Sequence, residues 1–183
     1  MSAWTKIEHI EAASAQAEIE FLSIPQIYDD LLVVFSTRNT GSNTALGIRF
    51  NDSSSTIYTY KILYGNGSTA ASYSETIAAG YNTYFNAYTV ASGATASTFG
   101  NAYMYIPNYR SSTNKSCSID AIGENNATSA YQSIVGGLWS STAAISSIQI
   151  FSDPGGSSSN LAQYSSATLY GITKGSSGGV VVS

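Results

Sequence analysis

FGNAYMYIPNYRSSTNKSCSIDAIGENNATSAYQSIVGGLWSSTAAISSIQIF, residues 99–151, is the stretch whose reading decides the fold class. It parses into four strand-like runs, 99–106, 116–123, 130–139 and 146–151, separated by polar turns. No 3.6-residue period connects them, and aromatic and β-branched residues fill them, so the stretch reads as antiparallel sheet. Nothing in it has the pattern of a catalytic site.

The remainder of the chain extends the same reading. Residues 3–9 suggest an edge strand with Trp4 and Ile7 turned inward. At 17–21, Ala17, Ile19 and Phe21 alternate with Glu18 and Glu20, a half-buried strand with its glutamates in solvent. Residues 28–37 (YDDLLVVFST) form the most continuous apolar run and predict a central strand covered on both faces. Strands follow at 45–50 and 58–64, the second with Tyr58, Tyr60, Ile62 and Tyr64 on one face. Asn66-Gly67 is a hairpin signal. Residues 68–96 read as a long loop followed by a strand near 84–90, with a short helix over 73–79 as the alternative. Residues 166–172 (SATLYGI) are the last strand. Nine to eleven strands without a helix of substance predict an all-β, antiparallel two-sheet sandwich, jelly-roll-like or of another Greek-key arrangement. One domain is expected over 1–174. Residues 175–183 (GSSGGVVVS) read as a flexible tail, or as an arm in which Val180, Val181 and Val182 add a strand to a neighbour.

Composition sets the kind of surface. Hydrophobic residues make up 43%, enough for a core, whereas charged residues are only 10% against about 25% in ordinary soluble domains. Ser, Thr, Asn and Gly carry the solubility, and 14 tyrosines outnumber six phenylalanines and two tryptophans. A tyrosine packs one ring face while its hydroxyl stays wet, which suits close contact with protein or with neutral glycans. Net charge is −4 and the seven cations are scattered, so nothing tracks a phosphate backbone and nucleic acid is not an expected partner. No apolar run reaches membrane-spanning length. MSAWTKIEHIE lacks the apolar core of a signal peptide, so synthesis in a cytoplasm is expected.

The chemistry-bearing residues do not assemble into a motif. Cys117 is the single cysteine, placed mid-strand as a small packed side chain, so no intrachain disulfide is expected. His9 is the single histidine. With one of each, zinc or a Cys–His couple would need unusual ligands. Asp29 and Asp30 could be a metal pair, but without another acidic residue nearby they read as the turn into a strand. Nucleophile-elbow, phosphate-loop, dinucleotide and EF-hand patterns are missing, and no carboxylate pair is singled out for glycoside hydrolysis. Sequons at Asn51, Asn66, Asn114 and Asn126 are expected by chance in so Asn-, Ser- and Thr-rich a chain. No enzyme activity and no cofactor are expected.

Several stretches resemble one family. AWTKI (3–7), IPQIYDDLLVV (24–34), IPNYRSSTNKS (106–116), ENNATSAYQSIVGGLW (124–139) and ATLYGI (167–172) are similar to small virion structural proteins of tailed bacteriophages, especially phages of marine bacteria. The resemblance spans about 4–172 and implies a β-sandwich structural or adhesion component of the virion. The expected role is a capsid decoration (cement) or head-fibre protein, a homotrimer that binds itself and the major capsid protein or other virion proteins. The alternative is a tail-fibre tip recognising host-surface glycans, with Tyr81, Tyr84, Tyr88 and Trp139 as its contact surface. The family implies no catalytic residues.

Overall fold

The computed structural model describes residues 4–75, 83–124, 130–152 and 159–174. Among them there are twelve strands and no helix. In chain order these are β1 (Trp4–Glu11), β2 (Glu18–Phe21), β3 (Asp30–Thr37), β4 (Ala45–Phe50), β5 (Tyr58–Gly65) and β6 (Ala70–Glu75). The second half contributes β7 (Phe85–Tyr88), β8 (Gly100–Ile106), β9 (Lys115–Glu124), β10 (Ala130–Trp139), β11 (Ile148–Ser152) and β12 (Ser166–Ile172). They form two antiparallel sheets, a broad one of order β1-β12-β3-β8-β9-β10-β5-β6 and a narrow one of order β2-β11-β4-β7.

The opening stretch supplies three neighbours in the broad sheet, β8, β9 and β10, joined as a meander. Its fourth strand, β11, crosses to the narrow sheet and lies between β2 and β4. The strand over Ala70–Glu75 was hidden in what reads as a loop, because AASYSE has neither alternation nor bulk. Pairing with β5 holds it extended from Tyr60↔Glu75 to Gly65↔Ala70, so 73–75 are strand, while 76–79 of the alternative helix lie outside the described residues.

The core lies between the sheets. Strand alternation sends Leu31, Val33 and Phe35 of β3, Met104 and Ile106 of β8, and Ile119 of β9 inward to meet Ile19, Phe21, Ile48 and Ile150 of the narrow sheet. The predicted inward set of β5 is confirmed at Tyr58, Tyr60 and Ile62, all buried, with Tyr64 partly buried against the core. Two expectations fail. Trp4 is 53% exposed and leans on Tyr170 across the edge, because a bulge at Lys6/Glu8 shifts the pairing of β1. Among the described residues the outer face of β3 has no covering layer: Leu32 is buried between cross-strand tyrosines Tyr170 and Tyr105, and Val34 is 40% exposed.

Trp139 anchors the wide end of the core. Its ring meets Phe50 edge-on at 5.5 Å, and Tyr58 meets Phe85 edge-on at 5.0 Å. The Tyr58 hydroxyl accepts from the Phe50 N–H at 3.0 Å and donates to the Phe50 carbonyl at 3.2 Å, which pins β5 to β4 across the sandwich. Burial pushes its phenol up to about 12. Close approach of the sheets depends on Gly137, where a Cβ would stand 2.6 Å from the Phe85 ring and 2.8 Å from Cys117 Sγ. Cys117 is buried there, and burial pushes its thiol up.

Candidate interaction surface

Strands whose inner residues fill this core must turn their alternate residues outward, and on the broad sheet no second layer receives them among the described residues. One row crosses five strands through the registers Val34↔Tyr103, Tyr103↔Asp120, Asp120↔Ile134 and Ile134↔Leu63. Ile122 lies one pleat step from Asp120, and Leu138 two steps from Ile134, on the same side. Leu63 is 60% exposed, Ile134 50% and Tyr103 47%. Over Gly136 the surface is open, with no atom within 4 Å of where a Cβ would be. Leu63, Ile134 and Gln132, with Ala70, Ala71 and Ser72, line an open cleft of about 530 Å³ at the β5–β6 side.

Charge is sparse on this face. Asp120 sits on β9 and Lys61 on β5, two strands apart on either side of β10, with Lys61 opposite Gly136. One Asp120 carboxylate oxygen accepts from the Tyr103 hydroxyl at 3.3 Å, and the other has no donor. The Asp120 charge pushes the Tyr103 phenol up. Glu124, at the end of β9, is occupied by the N–H of Thr95 at 2.8 Å and the hydroxyl of Thr98 at 2.7 Å.

The aromatic residues proposed as a contact surface are not gathered in one place. Tyr81 lies outside the described residues, as do Val180, Val181 and Val182. Tyr84 meets Phe151 edge-on at 5.8 Å on the outer side of the narrow sheet. Phe151 covers Gly47, its cross-strand partner, and Arg49 lies 4.6 Å over its ring. Tyr88 leans instead on Tyr64 at 6.1 Å. Trp139 is 1% exposed and belongs to the core, because odd-numbered positions of β10 face inward and the ring closes the space between Phe50 and Tyr58. Sequence reasoning missed Leu63, Ile134 and Leu138. Their signal was adjacency: Ile134-Val135 and Leu138-Trp139 put apolar side chains on both faces of one strand, which reads as burial on both sides.

The two aspartates before β3 form a structural clasp. Asp30 is buried and accepts from the Tyr105 hydroxyl at 2.6 Å and the Asn108 N–H at 2.9 Å, with the Lys174 ammonium at 2.9 Å. Burial alone would raise its carboxyl, but these three donors outweigh burial and hold it below the usual 3.8. The same hydrogen bond pushes the Tyr105 phenol up to about 12. Asp29 pairs with Arg110 at 3.2 Å and accepts from the Lys174 N–H at 2.8 Å. The clasp ties the end of β12 and the turn after β8 to the start of β3. His9, on the sheet edge, contacts Thr168 at 2.8 Å.

The geometry defines a class: an all-β, two-sheet sandwich with one sheet face that is apolar, sparsely charged and uncovered among the described residues. No family model, curated protein or solved structure matches the chain.

Proposed function

We propose that the chain is a structural protein of a bacteriophage virion, of the capsid decoration or head-fibre type. The observation that carries the reading is the broad sheet's outer face, where Leu63, Ile134 and Tyr103 are about half exposed with two charged groups among them. A contiguous apolar face of this kind suits burial against other protein, and the family resemblance supplies the setting. The strand order supports a jelly-roll framework. Without the inserted hairpins β5–β6 and β9–β10, the sheets run β1-β12-β3-β8 and β2-β11-β4-β7, and every successive strand changes sheet except from β4 to β7, which pair.

The mechanism is mechanical. A standard interface buries roughly 1,600 Å², and several such contacts per oligomer add through avidity to hold a shell against internal pressure. The glycan-reading alternative needs ring faces open to a sugar; Tyr84 and Tyr88 instead contact different partners, Phe151 and Tyr64. Purified protein is expected to co-sediment with expanded empty capsids of the parent phage and to bind nothing on a glycan array. A folded protein that stays in the supernatant overturns the proposal.

A further inference from the structure

We infer that the outer face of the broad sheet is covered by a second copy of this chain, packed face to face about a two-fold axis lying over β10. The inference rests on the assembly reading above and names the partner that the face takes.

Val34, Leu63, Tyr103, Ile122, Ile134 and Leu138 are each 39–60% exposed. Together they present roughly 500 Å² of apolar surface, near the upper end for the largest patch on a monomer. With the polar groups between and around them the face can supply the roughly 800 Å² per partner of a specific interface.

Charge then selects the partner. A two-fold contact is self-complementary, so whatever one side offers the other must receive. Asp120 and Lys61 flank β10 with opposite signs, roughly 10 Å apart across the strands, and no ion pair joins them within one chain. Reversal about an axis running along β10 places Lys61 of each copy over β9 of the other, one pleat step from Asp120 and within reach of a lysine side chain. Face packing also agrees with the sheet's first edge: β1 carries Lys6, Glu8, His9 and Glu11 and a bulge, features that oppose edge-to-edge pairing.

Sedimentation equilibrium of the full chain tests this, with circular dichroism to confirm folding of each variant. The wild type is expected to be a dimer that dissociates on dilution. Ile134→Arg, an outward-facing change, should leave a folded monomer. Lys61→Glu should weaken dimerisation about a hundredfold by setting two pairs of like charges together. Combining it with Asp120→Lys should recover the affinity to within about tenfold, a rescue that mere loss of packing cannot produce. A wild-type monomer, a trimer, or a dimer indifferent to all three changes overturns the inference. Capsid co-sedimentation separates the two proposals: a monomer or trimer that still attaches to shells refutes the two-fold contact alone. A dimer with the expected charge rescue that ignores shells refutes the virion role and supports the contact.

Discussion

Tyr58 shows how much of the sandwich rests on single atoms. Its hydroxyl joins β5 to β4 by occupying both the N–H and the carbonyl of Phe50. Tyr58→Phe keeps the ring contacts and leaves a buried N–H without an acceptor, so a loss of about 1–3 kcal/mol in urea unfolding is expected. Gly137 makes the complementary case. An added methyl would enter the space held by Phe85 and Cys117, and Gly137→Ala should cost about 1–3 kcal/mol by overpacking. Recovery of that loss in a Gly137→Ala, Cys117→Ser double variant would trace it to the sulfur; no recovery points to the ring. The alternation of β5 made Tyr58 legible as a core residue, whereas its Phe50 partner was not, since nothing local says which sheet will lie opposite. Trp139 stays open between contact surface and core in the sequence for the same reason: an aromatic at a strand end fits a rim or a core until the other sheet is known.

Among the elements, the segment linking β7 to β8 illustrates a loop held by one cation. The Arg38 guanidinium, just past β3, donates to the carbonyls of Ser92, Ala94, Thr95 and Thr98 at 2.8–3.2 Å. Glu124 holds Thr95 and Thr98 from the other side. Lysine cannot reproduce that planar fork. Both Arg38→Ala and Arg38→Lys should therefore speed amide exchange across 91–99 while leaving the strands of the core protected. Unchanged exchange in either variant would show that the segment is ordered by its own turns. The inserted hairpins β5–β6 and β9–β10 make the broad sheet twice as wide as the narrow one, and β7 together with Phe50 of β4 meets their inner face. The insertions widen the outer face into a platform over β8, β9, β10 and β5, which no second layer covers among the described residues.

At the scale of the whole molecule, ionisation brackets stability from both sides. Tyr58 and Tyr105 titrate near 12 in the folded chain, above the ordinary 10.0. Folding binds those protons more tightly, so their contribution is complete below pH 10 and is lost as pH rises through about 12. Asp30 works in the opposite sense: held below 3.8, it contributes above that pH and loses its contribution as pH falls through its lowered value. Melting temperature against pH should thus drop at both extremes. Tyr105→Phe should blunt both limbs, because it removes one high phenol and one donor to Asp30; two unchanged limbs would sink this assignment. The all-β class, the absence of helix among the described residues and most strand positions could be read from the sequence, because alternation and turn residues act locally. Tertiary structure alone decided that β11 leaves its meander for the narrow sheet, that AASYSE is a strand, and that Trp139 is buried. It alone also decided that Ile134 and Leu63 stand uncovered. Each of these depends on which strands lie side by side and which sheet lies opposite, and such long-range pairings leave no mark on neighbouring residues.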